Sequence, residues 1–142
     1  MAVLVDSNVL LDVIGRDPAW FGWSSDALSQ AADVSRLVIN PIIFSEVSVR
    51  YSKIEDLEEA LPRSFVEREP IPYEAAFLAG KVFVAYRRRG GDKRSPLPDF
   101  FIGAHAAIAG HTLLTRDPRR YRTSFPGLRL IAPGQDEKRP DG

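Results

Sequence analysis

Four acidic residues stand where backbone geometry could gather them. Asp6 directly follows the apolar run 2–5, and Asp117 follows a second run, 112–115, within LLTRD. Asp99 opens the helical pattern that leads into that second run. Glu46 lies in the helical pattern after a third run, 36–39. Carboxylate oxygens are the preferred ligands of Mg²⁺ and Mn²⁺. Such an ion lowers the pKa of a bound water, orients it, and neutralises a phosphate during in-line displacement, so no nucleophilic side chain is needed. Each residue has a plainer reading too. Asp6 with Ser7 and Asn8 suits a helix cap, and Glu46 could form a surface pair with Arg50 at i+4. Asp99 in a first helical turn is favoured by the helix dipole, Asp117-Pro118 suits an ordinary turn, and Thr115 could cap.

The elements that would have to position these residues alternate. Short apolar runs at 2–5, 36–39, 65–69, 112–115 and 128–131 read as strands. Between them lie helical patterns at 7–15, 20–34, 41 to about 53, 55–61, 73–89 and 99–110. Asn40-Pro41 is a helix-opening pair, and Arg87-Arg88-Arg89 before Gly90-Gly91 is a helix-closing one. A polar loop then reaches Pro98. Strands alternating with helices imply an α/β fold with a mainly parallel central sheet, in which ligands gather outside the carboxyl ends of the strands. On a helical wheel Gly103, Ala107 and Gly110 share the arc of Asp99, an arrangement that would leave space for ions and a phosphate. Phe101, Ile102, His105, Ile108 and Ala109 fill the opposite arc, and His105 reads as a packed core histidine rather than a ligand.

The chain of 142 residues has no cysteine, which excludes disulfide scaffolds, thiolate zinc sites and cysteine nucleophiles. No stretch reads as a signal peptide or a membrane helix, so the expectation is a cytoplasmic protein without membrane attachment. Its 19 Lys+Arg balance 19 Asp+Glu, but the charges are unevenly spread. Residues 1–80 hold 6 basic and 13 acidic residues, whereas 81–122 hold 10 basic and 3 acidic. Two of those three acids are Asp99 and Asp117. Arginine's planar fork suits phosphate, so Arg116 and Arg119, which flank Asp117, are candidate phosphate contacts. Arg87 to Arg89 equally suit a helix C-terminus. Trp20, Phe21 and Trp23 could stack bases, although apolar packing or an interface is the commoner use of such residues.

The opening VLVDSNVLLDV, the mid-chain Glu46, the segment LPDFFIGAHAAIAGHTLLTRD and the closing strand resemble a PIN-domain ribonuclease, and within that family a VapC-type toxin of a toxin–antitoxin pair. The resemblance spans residues 1–133, leaving 134–142 as a polar tail expected to fray. It implies a PIN-like fold, a parallel sheet flanked by helices in a single domain, paired as a homodimer. It implies Asp6, Glu46, Asp99 and Asp117 as the metal-binding, catalytic quartet, with Asn8 and Thr115 supporting the site by hydrogen bonding. Mg²⁺- or Mn²⁺-dependent cleavage of RNA to a 5′-phosphate and a 3′-hydroxyl would follow, as would an antitoxin encoded alongside whose C-terminal segment covers the site. Ser7 departs from the commoner Thr but keeps the hydroxyl. Other classes stay in view: a PIN-like module that binds RNA or protein without cutting, and a nuclease acting on DNA. A phosphoacceptor signalling domain is set aside, because strand one ends in a single acid and Lys is absent between residues 94 and 137.

Overall fold

The computed structural model describes residues 2–91 and 97–134. Five strands form one sheet: β1 (Ala2–Val5), β2 (Arg36–Ile39), β3 (Glu67–Arg68), β4 (Thr112–Leu114) and β5 (Leu130–Ile131). Their order is β3-β2-β1-β4-β5, and every pairing is parallel. Leu4 sits opposite Val38 on one side and Leu113 on the other. β1 is central and covered on both faces, which is why it reads as the unbroken apolar run AVLV with all four residues buried. β2 and β3 extend the sheet one way from β1, and β4 and β5 extend it the other way. The order therefore reverses between β1 and β4, and a crevice at the carboxyl ends of these two strands is where such folds place a ligand.

Seven helices connect and cover the strands among the described residues: α1 (Ser7–Ile14), α2 (Phe21–Val34), α3 (Pro41–Ser48), α4 (Ile54–Ala60), α5 (Tyr73–Arg88), α6 (Leu97–Ala109) and α7 (Arg119–Arg122). Asp6 caps α1, its carboxylate accepting from the Ser7 N–H, and Asn40 caps α3, its Oδ1 accepting from Ile43 N at 2.9 Å. α5 approaches α6 closely because it turns Ala75 and Ala79 inward. Phe100 on α6 meets Phe83 and Tyr86 edge-on, with ring centroids 6.4 and 5.3 Å apart. Gly110 ends α6 at φ +73°, which lets His111 N–H reach back to Ala106 O at 2.9 Å.

Four expectations from the sequence need revision. α3 stops at Ser48, short of the predicted end near residue 53. Ser45 and Ser48 hydroxyls bond back to the carbonyls of Ile42 and Ser45, and Val49 points outward at 83% exposure, so the apolar stripe that would carry the helix onward is lost. The edge strands β3 and β5 are two residues each, since pairing on one side alone holds less chain. The arc of small residues around Asp99 is closed at Gly103, while Ala107 and Gly110 are exposed. Gly103 is buried beneath the Phe125 ring, so close that an added Cβ would overlap it. Ile108, expected in the core, is 45% exposed. The tail expected over 134–142 lies, apart from Gly134, outside the described residues, as does most of the loop expected before Pro98.

Candidate active site

The crevice between β1 and β4 begins with a backbone bond, Asp6 N–H to Leu114 O at 2.9 Å, that continues the ladder one residue past the strands. It sets the Asp6 side chain beside Thr115. Asp6 Oδ2 accepts from the Thr115 hydroxyl and the Tyr121 phenol, each at 2.8 Å, while Oδ1 accepts from Ser7 N at 2.8 Å. The carboxylate is buried, at 1% exposure for the residue. Burial pushes its pKa up, and these three hydrogen bonds with the charge of Arg120 offset part of that rise. Burial likewise raises Tyr121 far above the ordinary phenol range, aided by the Asp6 and Asp99 charges, so its O–H remains a donor to Asp6.

The other three acids face the same place. Glu46, half-buried on α3, accepts from the Ser7 hydroxyl at 2.8 Å, and no Glu46–Arg50 pair forms among the described residues. Burial raises its pKa, the Ser7 bond lowers it, and Asp6 raises it. Asp99 sits buried in the first turn of α6, its pKa pushed up to about 6 by burial and by Asp6, Glu46 and Asp117, against the pull of Arg120. Asp117 precedes α7 and accepts from Arg120 Nε at 2.9 Å. Four carboxylates from four parts of the chain thus act on one another, the property expected of a site that takes a cation. Their oxygens form a hard donor set of the kind Mg²⁺ and Mn²⁺ prefer.

Asn8 and Thr115 lie beside Asp6. Asn8 Nδ2 donates to Thr115 Oγ1 at 3.3 Å, and Thr115 also accepts from Asp117 N at 3.1 Å, tying the two strand ends together. Thr115 therefore both holds Asp6 and turns the chain toward Asp117. Arg116 is engaged elsewhere: its Nε donates to the buried Asp12 at 2.7 Å, and its guanidinium lies 5.4 Å above the Trp20 ring. Ser24 shares the same Asp12 oxygen. Trp20 also meets Trp23 edge-on at 6.3 Å, so the tryptophans serve packing around this pair. Arg119 is exposed at the start of α7.

Two contributors were not legible as site residues, and a third, Ser7, was legible as a hydroxyl but without the partner it takes, Glu46. Tyr121 is a single aromatic within RRYR and fully buried; an aromatic among three arginines is the signal that could have found it. Arg120 reads as one of a basic cluster, yet its Nη1 is 3.6 Å from Asp99 Oδ1 while its Nε holds Asp117. The spacing from Asp117, three residues ahead across the start of α7, was its clue.

A second polar group lies apart from the quartet. Glu69, His105 and His111 have ligand-type atoms all within 4.8 Å of one another. Glu69 Oε1 accepts from His105 Nε2 at 2.8 Å and His111 Nε2 at 2.7 Å. Burial would raise Glu69, but the bonds from His111 and His105 outweigh it and hold its pKa low. Because Asn40 Oδ1 is taken by Ile43 N, its amide NH₂ faces His105 Nδ1 at 3.0 Å and fixes that nitrogen as the acceptor. His105 is thereby a fully satisfied core histidine with its proton on Nε2, arranged to tie α6 to the ends of β2 and β3.

A family model described as PIN domain matches residues 3–126. Among solved structures, the chain superposes on VapBC2 from Rickettsia felis bound to a DNA fragment from its promoter, with a TM-score of 0.73 and 20% identity over 93% of this chain and 98% of that one. VapBC-1 from nontypeable Haemophilus influenzae matches with a TM-score of 0.71 and 18% identity over the same shares. A toxin–antitoxin complex from Klebsiella pneumoniae matches with a TM-score of 0.62 and 23% identity over 92% of this chain and 96% of that one. No curated protein is a significant match.

Proposed function

The chain belongs to the PIN domain family, and from that premise we propose that it is a Mg²⁺- or Mn²⁺-dependent endoribonuclease acting as the toxin of a toxin–antitoxin pair. The observation that carries this reading is the convergence of Asp6, Glu46, Asp99 and Asp117 beside the β1–β4 crevice, with Asp99 raised to about 6 by burial and by the other three acids. When bound, a divalent cation supplies charge neutralisation for the phosphodiester and acidifies water. The protein's own part is positioning. Thr115, Tyr121 and the Ser7 N–H hold Asp6 in one orientation, and the Ser7 hydroxyl holds Glu46. Asp99 is fixed by the first turn of α6, and Asp117 by the Thr115 bond to its N–H. Arg119 offers an exposed guanidinium to phosphate, and Arg116 offers the donors that Asp12 leaves free. The products are a 5′-phosphate and a 3′-hydroxyl.

An antitoxin partner is supported by the likeness to VapBC and other toxin–antitoxin complexes. Its C-terminal segment would cover the site. A homodimer is supported by α5, where Tyr73, Phe77 and Val84 recur on one helical face at 91%, 68% and 44% exposure. No helix among the described residues is long and apolar enough to cross a membrane.

The test is to purify the protein free of any partner, add total RNA with Mg²⁺ or Mn²⁺, and map the new 5′ ends. Wild type should cut and Asp99→Asn should lose at least about a hundredfold, the scale of removing one preorganised electrostatic group. Equal cleavage by both proteins refutes the mechanism. Binding without cleavage under either ion supports instead a PIN-like binding module, and cutting confined to DNA replaces the substrate.

A further inference from the structure

Arg120 stands between two surfaces of opposite character. On one side are the four carboxylates. Its Nε is 2.9 Å from Asp117 Oδ2, its Nη1 is 3.6 Å from Asp99 Oδ1, and its charge is also felt by Asp6 and Glu46. Among the described residues it is the one cation that all four acids share. On the other side Arg120 borders a cleft of about 380 Å³ together with Arg89, Arg119, Tyr86, Thr123 and Ser124. Among the described residues no acidic side chain lines that cleft, and no carboxylate pairs with Arg89 or Arg119. The Arg120 side chain is 48% exposed, so little packing resists its movement from one side to the other.

We propose that Arg120 is a phosphate-binding arginine that serves as the resident cation of the carboxylate site in the metal-free protein, and that the cleft it shares with Arg89 and Arg119 seats backbone phosphates of the RNA strand next to the cleaved bond. This rests on the ribonuclease reading above. Two cations drawn to the same carboxylates repel each other, so a divalent ion at the quartet weakens the hold on Arg120 and frees its planar fork for a phosphate. The cleft shares Arg120 with the carboxylates, and the charge of its arginines is complementary to a nucleic-acid backbone. By linkage, ion and RNA each strengthen the binding of the other, and Arg120 carries the coupling.

The experiment separates the two halves. Mn²⁺ is titrated into wild type, Arg120→Gln and Arg120→Lys without RNA, and free Mn²⁺ is followed by electron paramagnetic resonance. Arg120→Gln should bind Mn²⁺ about fivefold more tightly, the effect of removing one partly exposed charged competitor, and Arg120→Lys should stay near wild type. A short mixed-sequence fluorescent single-stranded RNA is then bound in EDTA and in Ca²⁺. Ca²⁺ should tighten RNA binding by wild type and do so less for Arg120→Gln. Arg89→Ala and Arg119→Ala should each lower the slope of log affinity against log salt by about 0.7, the value for one phosphate contact on a single strand. If Arg120→Gln keeps a native circular dichroism spectrum yet binds Mn²⁺ no better than wild type, Arg120 is not the resident cation. Unchanged salt slopes in both cleft variants overturn the phosphate track. Cleavage and Mn²⁺ binding by wild type alongside either result leave the ribonuclease reading standing; absence of Mn²⁺ binding by wild type removes both.

Discussion

Asp99→Asn should stabilise the metal-free protein while it lowers cleavage by at least about a hundredfold. The magnitude follows from the Asp99 environment. An aspartate in an unfolded chain titrates near 3.8, and here it is raised to about 6. At roughly 1.4 kcal/mol per unit, the folded state carries a penalty of up to about 3 kcal/mol for holding this carboxylate ionised at pH 7.5. Because the pKa is raised, the penalty is fully present above the folded value. It fades as pH falls toward the unfolded value, dropping below about 1 kcal/mol near pH 4. Asn keeps the shape and removes the charge. The assay is urea unfolding of wild type and variant in EDTA at both pH values. At pH 7.5 the variant should gain up to about 3 kcal/mol, or about 10 °C in Tm for a chain of this length, and most of the gain should vanish at pH 4. Comparing two proteins at one pH cancels every other titrating group to first order. Saturating Mg²⁺ should then restore wild type alone, by about 2.7 kcal/mol at a hundred times Kd. A variant less stable at pH 7.5, or one with the same gain at both pH values, would show that the four carboxylates do not repel one another as described.

Four further outcomes check the surrounding structure. Tyr121→Phe keeps the ring but removes one of three donors to Asp6; the Mn²⁺ dissociation constant should rise by about tenfold, and an unchanged constant argues against positioning by the phenol. Gly103→Ala forces Phe125 aside and should cost about 1–3 kcal/mol in urea unfolding, whereas a neutral result would mean the helix and the ring are not in contact. Asp12→Ala strips the partner from Arg116 and Ser24 beneath the surface and should cost about 3 kcal/mol, with Asp12→Asn losing less. His105 is held below its ordinary 6.5 by burial, the bond to Glu69 opposing this and His111 adding to it. A depressed histidine contributes stability above the unfolded pKa and loses it as pH falls, so the gap between wild type and His105→Gln should narrow on acidification below 6.5. Imidazole NMR should find its proton on Nε2; a proton on Nδ1 contradicts the Asn40 contact.

What could be read in advance was what depends on near neighbours. The run AVLV needs only its composition to become a central strand, and Asn40-Pro41 starts α3 through a cap contained within four residues. The quartet was legible for a related reason: Asp6 and Asp117 follow apolar runs, and the carboxyl ends of parallel strands lie together in any such sheet. The missing parts depend on distant partners. Whether Ser45 and Ser48 bond outward or back to the helix decides where α3 ends. Gly103 looks like empty space on a wheel, until Phe125 folds over it from twenty-two residues away. Arg120 and Tyr121 are adjacent in an arginine-rich stretch, and only the fold turns one outward to the carboxylates and the other inward to Asp6. The expectation for Arg116 rested on sequence proximity to Asp117, and proximity did not anticipate the claim that buried Asp12 makes on it.

The bonds from Thr115 and Tyr121 to Asp6 join residues 109 and 115 positions apart in the chain. Contacts of that span form late, since the loop they close must first be ordered. During synthesis from the N-terminus, the segment bearing Asp6 and Glu46 emerges long before β4 and α7 exist to hold them. A growing chain therefore displays two loosely placed acids and no assembled centre until β4 and α7 have left the ribosome. On the ribonuclease reading, the messenger and the ribosome making the protein are spared its activity while translation proceeds, and the interval before the last strand docks is the time available for a partner to reach it.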